Sequence, residues 1–132
     1  MNTPVKKNID NLSKIALITG ASRGIGAAVL KNLVKDNYFV CGTATSEESA
    51  SLIGKTIKNL GGQGCGLKLD FGSDNLDEFV KSFVNSHGSP SIYINNAGIT
   101  RDNLLLRMSN DEWNDVIEIN LSAAFRLTKA LL

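Results

Sequence analysis

Short apolar runs alternate with helix-periodic segments along most of this chain, and that alternation limits its fold more than any other feature. Lys14-Ile15-Ala16-Leu17-Ile18-Thr19 is almost unbroken apolar sequence, as a strand covered on both faces requires. A glycine-rich turn follows, and then Ile25, Ala28, Val29 and Leu33 recur at helical spacing. Tyr38 to Thr43 has the pattern of a second strand. Ser46 ahead of Glu47 and Glu48 marks a helix start, where a hydroxyl cap and acidic residues suit the exposed N–H groups. Ala50, Ile53, Ile57 and Leu60 then trace one face until Gly61-Gly62. A third strand is expected from about Gln63 to Asp70, weakened by Gly64 and Gly66. Leu76, Phe79, Val80, Phe83 and Val84 form an amphipathic helix, broken by Gly88-Ser89-Pro90. Ser91 to Asn95 is the fourth strand. Beyond a long loop, Ser109 and Glu112 make a capping-box pattern that opens a last helix to the terminus.

The order is therefore βαβαβαβα. Strands separated by helix-length segments must pair in parallel through right-handed crossovers. The fold class is α/β, a Rossmann-type doubly wound parallel sheet with four strands in the order 3-2-1-4. Residues 1–13 are expected to be an N-terminal extension, and residues 14–132 an incomplete half-domain of this type.

Composition narrows the class further. The formal charge is +1, with 42% hydrophobic and 20% charged residues, which excludes wholesale disorder. It also leaves no electrostatic footprint for nucleic acid or an anionic membrane. No apolar run approaches the roughly 18 residues of a membrane span. The first residues lack the apolar core of a secretion signal, so a cytoplasmic location is expected. Cys41 and Cys65 make neither a disulfide framework nor a metal-ligand spacing, and both read as buried, reduced packing on neighbouring strands. His87, the one histidine, lies beside a turn and reads as a residue without a catalytic part.

Between the first strand and the first helix lies Thr19-Gly20-Ala21-Ser22-Arg23-Gly24-Ile25-Gly26. Glycines at this turn of an alternating chain let the backbone bend tightly and a pyrophosphate approach with no Cβ in the way. The helix that follows aims its free N–H groups and positive dipole end at the phosphates. Domains of this kind that prefer NAD usually carry an acid at the end of the second strand to hold the ribose 2′-hydroxyl. Here that region reads Gly42-Thr43-Ala44-Thr45-Ser46, with no acid before Glu47. Arg23 with the hydroxyls of Thr45 and Ser46 suits a 2′-phosphate instead, which favours NADPH. Ser46 also suits a helix cap, and the two parts are compatible.

These residues, with Asp70 after the third strand and Asn95-Asn96-Ala97-Gly98 after the fourth, resemble the short-chain dehydrogenase/reductases. The stretch from Asn95 through Met108, Glu112-Trp113 and Asn120-Leu121 is similar to the bacterial 3-oxoacyl-[acyl-carrier-protein] reductases within that family, as is Gly42 to Ser46. The resemblance implies NADPH-dependent reduction of a carrier-bound 3-oxoacyl group in fatty-acid elongation, by a homotetramer. It implies that Gly20, Ser22, Arg23, Gly24, Ile25 and Gly26 line the pyrophosphate and adenosine ribose, and that Thr45 meets the 2′-phosphate. Asp70 would contact the adenine, with Phe71 beside it; Asp70 as a cap for a helix starting near Ser73 is the competing reading. Asn96, Ala97 and Gly98 would support the ribose side of the cofactor. Asn120 matches the catalytic asparagine that holds a water in a proton relay. It also interrupts an apolar stripe of Trp113, Ile117, Ala124 and Leu127, where a satisfied core amide is the plainer reading.

The family's remaining chemistry needs a Ser and a Tyr-x-x-x-Lys pair. Tyr38 is followed four residues on by Gly42, and Tyr93 by Ala97, so neither tyrosine fits. In the family those groups, and the arginines that dock the carrier protein, come from later elements. The chain is therefore expected to be a fragment ending before the fifth strand, inactive and poorly soluble alone. Its fourth strand would form a bare apolar edge, and its last helix would expose a face that packs on a copy in the family's tetramer. An acetoacetyl-CoA-type reductase and a non-catalytic cofactor-binding or subunit-pairing module are the alternatives.

Overall fold

The computed structural model describes residues 14–132, so the expected N-terminal extension lies outside the described residues. The chain runs β1 (Ile15–Ile18), α1 (Gly24–Lys35), β2 (Phe39–Ala44), α2 (Glu47–Asn59), β3 (Gln63–Lys68), α3 (Leu76–His87) and β4 (Ile92–Ile94). A 3-10 turn at Leu105–Arg107 leads to α4 (Asn110–Ile117), a π-helical turn (Glu118–Ser122) and α5 (Ala123–Leu131). The four strands form one sheet in the order β3-β2-β1-β4, all parallel, with Leu17 opposite both Cys41 and Tyr93. The expected fold class and strand order are those observed.

Alternating residues of β1 serve the two faces. Ala16 and Ile18 pack with Leu30, Leu33 and Val34 of α1 and with Ile53 and Ile57 of α2. Ile15 and Leu17 pack with Cys41 and Phe83 on the opposite face, under α3. Beside them Leu69, Leu76 and Val80 meet Ala123 and Leu127 of α5. Each fully buried Leu or Ile here contributes about 1.5–3 kcal/mol, which is what seats the helices on the sheet.

Two local expectations are corrected, for the buried side of α1 and the continuity of the last helix, and the third strand forms where expected but ends at Lys68. The buried side of α1 is Gly26, Leu30, Leu33 and Val34, whereas Ile25 and Ala28 are exposed. The position nearest the loop is filled by a glycine, so hydrophobicity alone points to the wrong stripe. The third strand forms despite its glycines because α2 lies directly on it. A Cβ on Gly66 would stand 1.7 Å from the Ala50 carbonyl oxygen. The last helix is not continuous: a π turn interrupts it, and beyond that turn Ala123 and Leu127 are buried, with Ala130 and Leu131 packed half-buried beside them. Trp113, Ile117 and Phe125 stay exposed, and Asn120 is an exposed amide rather than a core one.

Cys41 and Cys65 are directly opposed in register, with Sγ atoms 3.3 Å apart and neither in a disulfide. Cys41 is buried and Cys65 half-buried. Their shared hydrogen bond and burial hold the Cys41 thiol far above its usual range, while the same hydrogen bond, against burial, draws that of Cys65 below it. His87 is the last residue of α3, not a loop residue, and its ring stacks obliquely on Phe39 and Phe83. Among the described residues no helix is long and apolar enough to cross a membrane.

Candidate functional site

The carboxyl ends of β1, β2 and β4 converge on one cleft, where an open parallel sheet offers room to a ligand. The turn after β1 puts Gly20 at φ +66° and Gly24 at φ +59°, left-handed values that favour glycine. Gly26, the third glycine, is set by a close approach. A Cβ there would lie 2.1 Å from the Gly20 carbonyl oxygen and 2.5 Å from the Asn96 amide nitrogen.

Two buried threonines hold this turn. The Thr19 hydroxyl oxygen accepts the backbone N–H groups of Asn96 and Ala97, both at 3.1 Å. The Thr43 hydroxyl oxygen accepts the Gly20 N–H at 3.3 Å, while the Thr43 carbonyl takes the Ala21 N–H at 2.9 Å. The Asn96 side chain closes the set by donating to the Gly20 carbonyl at 2.9 Å. Stripping a hydroxyl from such a network costs about 1–3 kcal/mol for each N–H left unpaired.

The turn leads into α1 with no cap. Arg23 at its start is extended and gives no side-chain hydrogen bond to the first N–H groups. Those donors, and the positive end of the helix dipole, face outward beside the exposed Arg23 cation. A cleft of about 520 Å³ borders the turn at Gly20, Ser22 and Arg23, just ahead of this helix start.

Of the residues expected to bind a cofactor, Gly20, Ser22, Arg23, Thr45, Asn96, Ala97 and Gly98 line this cleft. The others lie elsewhere for visible reasons. Gly24 and Ile25 open the helix from its exposed side, and Gly26 is buried against the turn. Ser46 caps α2, its hydroxyl oxygen accepting the Ser49 N–H at 3.1 Å. The Asp70 carboxylate accepts the Gly72 N–H at 2.9 Å. It does not cap the next helix, a part taken by Asn75, which accepts the Glu78 N–H at 3.1 Å. Phe71 packs near Tyr93 and α5 and borders a different cleft, of about 480 Å³. Sequence reading missed Thr43, Ser49, Leu52 and Leu69 in the lining and Thr19 behind it. Thr43 carried a signal, since it is a hydroxyl residue within the stretch Gly42–Ser46 already singled out around Thr45.

Asn120 sits in the π turn and clasps the chain beyond Gly98. Its Oδ1 accepts the Ile99 N–H and its Nδ2 donates to the Ile99 carbonyl, both at 2.8 Å. The extra residue of a π turn is a common way to aim one side chain out of helical register, frequently at a working site. Tyr93, half-buried below, is pushed up to about 12 by burial and stays protonated through the neutral range.

Comparison with known proteins agrees with this geometry. A family model described as short chain dehydrogenase matches residues 14–132. The 3-oxoacyl-[acyl-carrier-protein] reductase FabG of Pseudomonas aeruginosa is 50% identical over 120 residues, covering 90% of this chain and 49% of its own length. The same enzyme of Escherichia coli is 48% identical over 120 residues, with 90% and 48% covered. The chain thus spans about half the length of the curated relatives it matches. Among solved structures, a tryptophan-substituted actinorhodin polyketide ketoreductase with NADPH superposes with a TM-score of 0.84 at 31% identity. That match covers 90% of this chain and 46% of the ketoreductase. With the glycine turn, the strand order and a family match over every described residue in agreement, the chain belongs to the short-chain dehydrogenase family.

Proposed function

We propose that residues 14–132 are the NADPH-binding half of a reductase that converts a 3-oxoacyl group on acyl carrier protein to the 3-hydroxyacyl form. The observation that carries this reading is the uncapped start of α1 directly after Arg23, which with Gly20 and Ser22 lines the cleft. The residues suit a dinucleotide phosphate: bare N–H donors, a guanidinium, and hydroxyls on Ser22, Thr45 and Ser49 around one opening. The absence of an acid at the end of β2 favours the 2′-phosphate of NADPH over the free ribose of NADH. Bound there, the dinucleotide supplies the hydride.

The chain's own residues bind and orient. Thr19, Thr43 and Asn96 fix the turn before any ligand arrives, so little ordering entropy remains to be lost on binding. Asn120 positions the backbone at Ile99 next to the cleft residue Gly98. Neither tyrosine has a lysine four residues on, so the family's proton donor must come from outside this stretch. The exposed face formed by Trp113, Ile117, Leu121 and Phe125 supports burial against a second copy, and assembly as a cytoplasmic homo-oligomer is part of this reading.

Calorimetry of the full polypeptide with NADPH and NADH tests the cofactor assignment. NADPH is expected to bind at least about tenfold tighter, with the difference removed in Arg23→Ala. Equal affinities, or no saturable binding, would refute it. With a form of the protein that carries the family's Ser, Tyr and Lys, faster turnover of the carrier-bound than of the coenzyme A-bound 3-oxoacyl substrate is expected.

A further inference from the structure

Away from the nucleotide cleft, three soft ligand groups meet on the α3 side of the sheet. Cys41 and Cys65 stand opposite one another on β2 and β3, so their side chains share a face. His87 reaches the same spot from the end of α3, its Nε2 3.7 Å from the Cys65 Sγ. The two sulfurs are 3.3 Å apart, and all three donor atoms lie within 4.8 Å of one another. We propose that Cys41, Cys65 and His87 form a binding site for a thiophilic d10 cation of the zinc class, with water in the fourth position.

The geometry favours this over its rivals. Around tetrahedral zinc, bonds of about 2.3 Å to sulfur and 2.0 Å to nitrogen separate neighbouring donors by roughly 3.5–3.8 Å. The Cys65 sulfur and the His87 nitrogen already stand at such a distance, the sulfurs need to part by only a few tenths of an ångström, and Cys41 and His87, within 4.8 Å of each other, would draw together on the ion. A disulfide would require them to close to about 2.05 Å and would leave His87 with no part. The rings of Phe39 and Phe83 flank the imidazole, at 5.6 and 5.2 Å, and hold its position. Cys65 and His87 are half-buried, and a cleft of about 290 Å³ bordered by Ser86 and His87 opens beside the histidine. On binding, the thiols lose their protons to solvent and the imidazole binds in its neutral form. The ion would tie β2, β3 and α3 together across 46 residues of sequence. The spacing of the cysteines carries no metal signature because a sheet register and a crossover helix, not a local loop, assemble the set.

The test uses the full polypeptide, reduced and stripped of metal, titrated with Co2+ and then Zn2+. The expected result is one equivalent of Co2+ with tetrahedral visible bands and thiolate charge-transfer absorption, bleached when Zn2+ displaces it. Zn2+ should slow alkylation of the half-buried Cys65 at least tenfold in the unmodified protein, a readout that needs no variant. Cys65→Ser and His87→Gln, checked for native circular dichroism, should each weaken Zn2+ binding at least tenfold. Failure of the reduced, folded protein to take up either ion would overturn the proposal. So would uptake undiminished in both variants, or closure to a Cys41–Cys65 disulfide in a protein that takes up no metal when reduced.

Discussion

The start of α1 and the starts of α2, α3 and α4 solve the same physical problem in opposite ways. Every helix begins with N–H groups that no helical carbonyl can accept. Ser46, Asn75 and Ser109 each cover theirs with a side-chain oxygen, at 3.1 Å in all three cases. At Ser109 the cap is reciprocal, since Glu112 accepts the Ser109 N–H in return. Arg23 covers nothing, and of these four helices its own alone begins with two glycines, at 24 and 26, and has no acid in its first turn. Three capped starts finish a structure; the uncapped one leaves donors for something else. A chain selected only for stability would have a Ser or Asp at position 23, where a cap is worth about 1 kcal/mol.

Breaking that contrast should have its largest effect at Gly26. In Gly26→Val the branched side chain must displace the Gly20 carbonyl and the Asn96 amide, which lie 2.1 and 2.5 Å from its first carbon. Overpacking of this kind costs about 1–3 kcal/mol or more, and NADPH affinity should fall beyond the reach of calorimetry. Thermal unfolding and titration of the same sample would show both losses; retained affinity would detach the glycine turn from binding.

Arg23→Asp sharpens the contrast because stability and binding should move in opposite directions. An aspartate there can cap α1 and complement its dipole, raising stability by about 0.5–1 kcal/mol. It would also occupy the N–H groups and repel phosphate, so NADPH should bind at least about tenfold more weakly. Denaturant unfolding paired with calorimetry reads the two signs. Parallel changes would mean that Arg23 acts on the fold alone.

Smaller and confined to stability is the change at a capped start. Ser109→Ala should cost about 1 kcal/mol and leave NADPH affinity unaltered. The Glu112 half of that cap gives a pH signature. The Ser109 N–H, then Asn103, hold the Glu112 carboxyl below its usual range. A carboxyl depressed in the folded state stabilises above its unfolded pKa, and that contribution fades as pH falls through the folded value. Helix content at α4 should therefore loosen at acid pH, and the acid-side slope should flatten in Glu112→Gln.

The two kinds of helix start were not equally legible beforehand. Ser46 and Ser109 announce themselves as hydroxyl residues ahead of acids, and the glycine run announces the bare start, so the frame of the sheet and the outline of the cleft followed from local chemistry. The hidden parts are those set by contacts between distant segments. Gly26 hides the buried stripe of α1 because a close approach, not hydrophobicity, selects it. Thr19 and Thr43 look like ordinary strand residues until β4 and the glycine turn arrive at their hydroxyls. The π turn that aims Asn120 at Ile99 adds one residue to a helix whose pattern otherwise reads as continuous. Register likewise brings Cys41, Cys65 and His87 together across the sheet.

Amide chemical shifts recorded while NADPH is titrated into the full polypeptide test the central claim most directly. The account predicts saturable changes that are largest at residues 22–26 and 43–45, with the Gly24, Ile25 and Gly26 N–H groups moving together. Shifts that never saturate, or that gather instead around the cleft bordered by Phe71, Phe125 and Lys129, would contradict it.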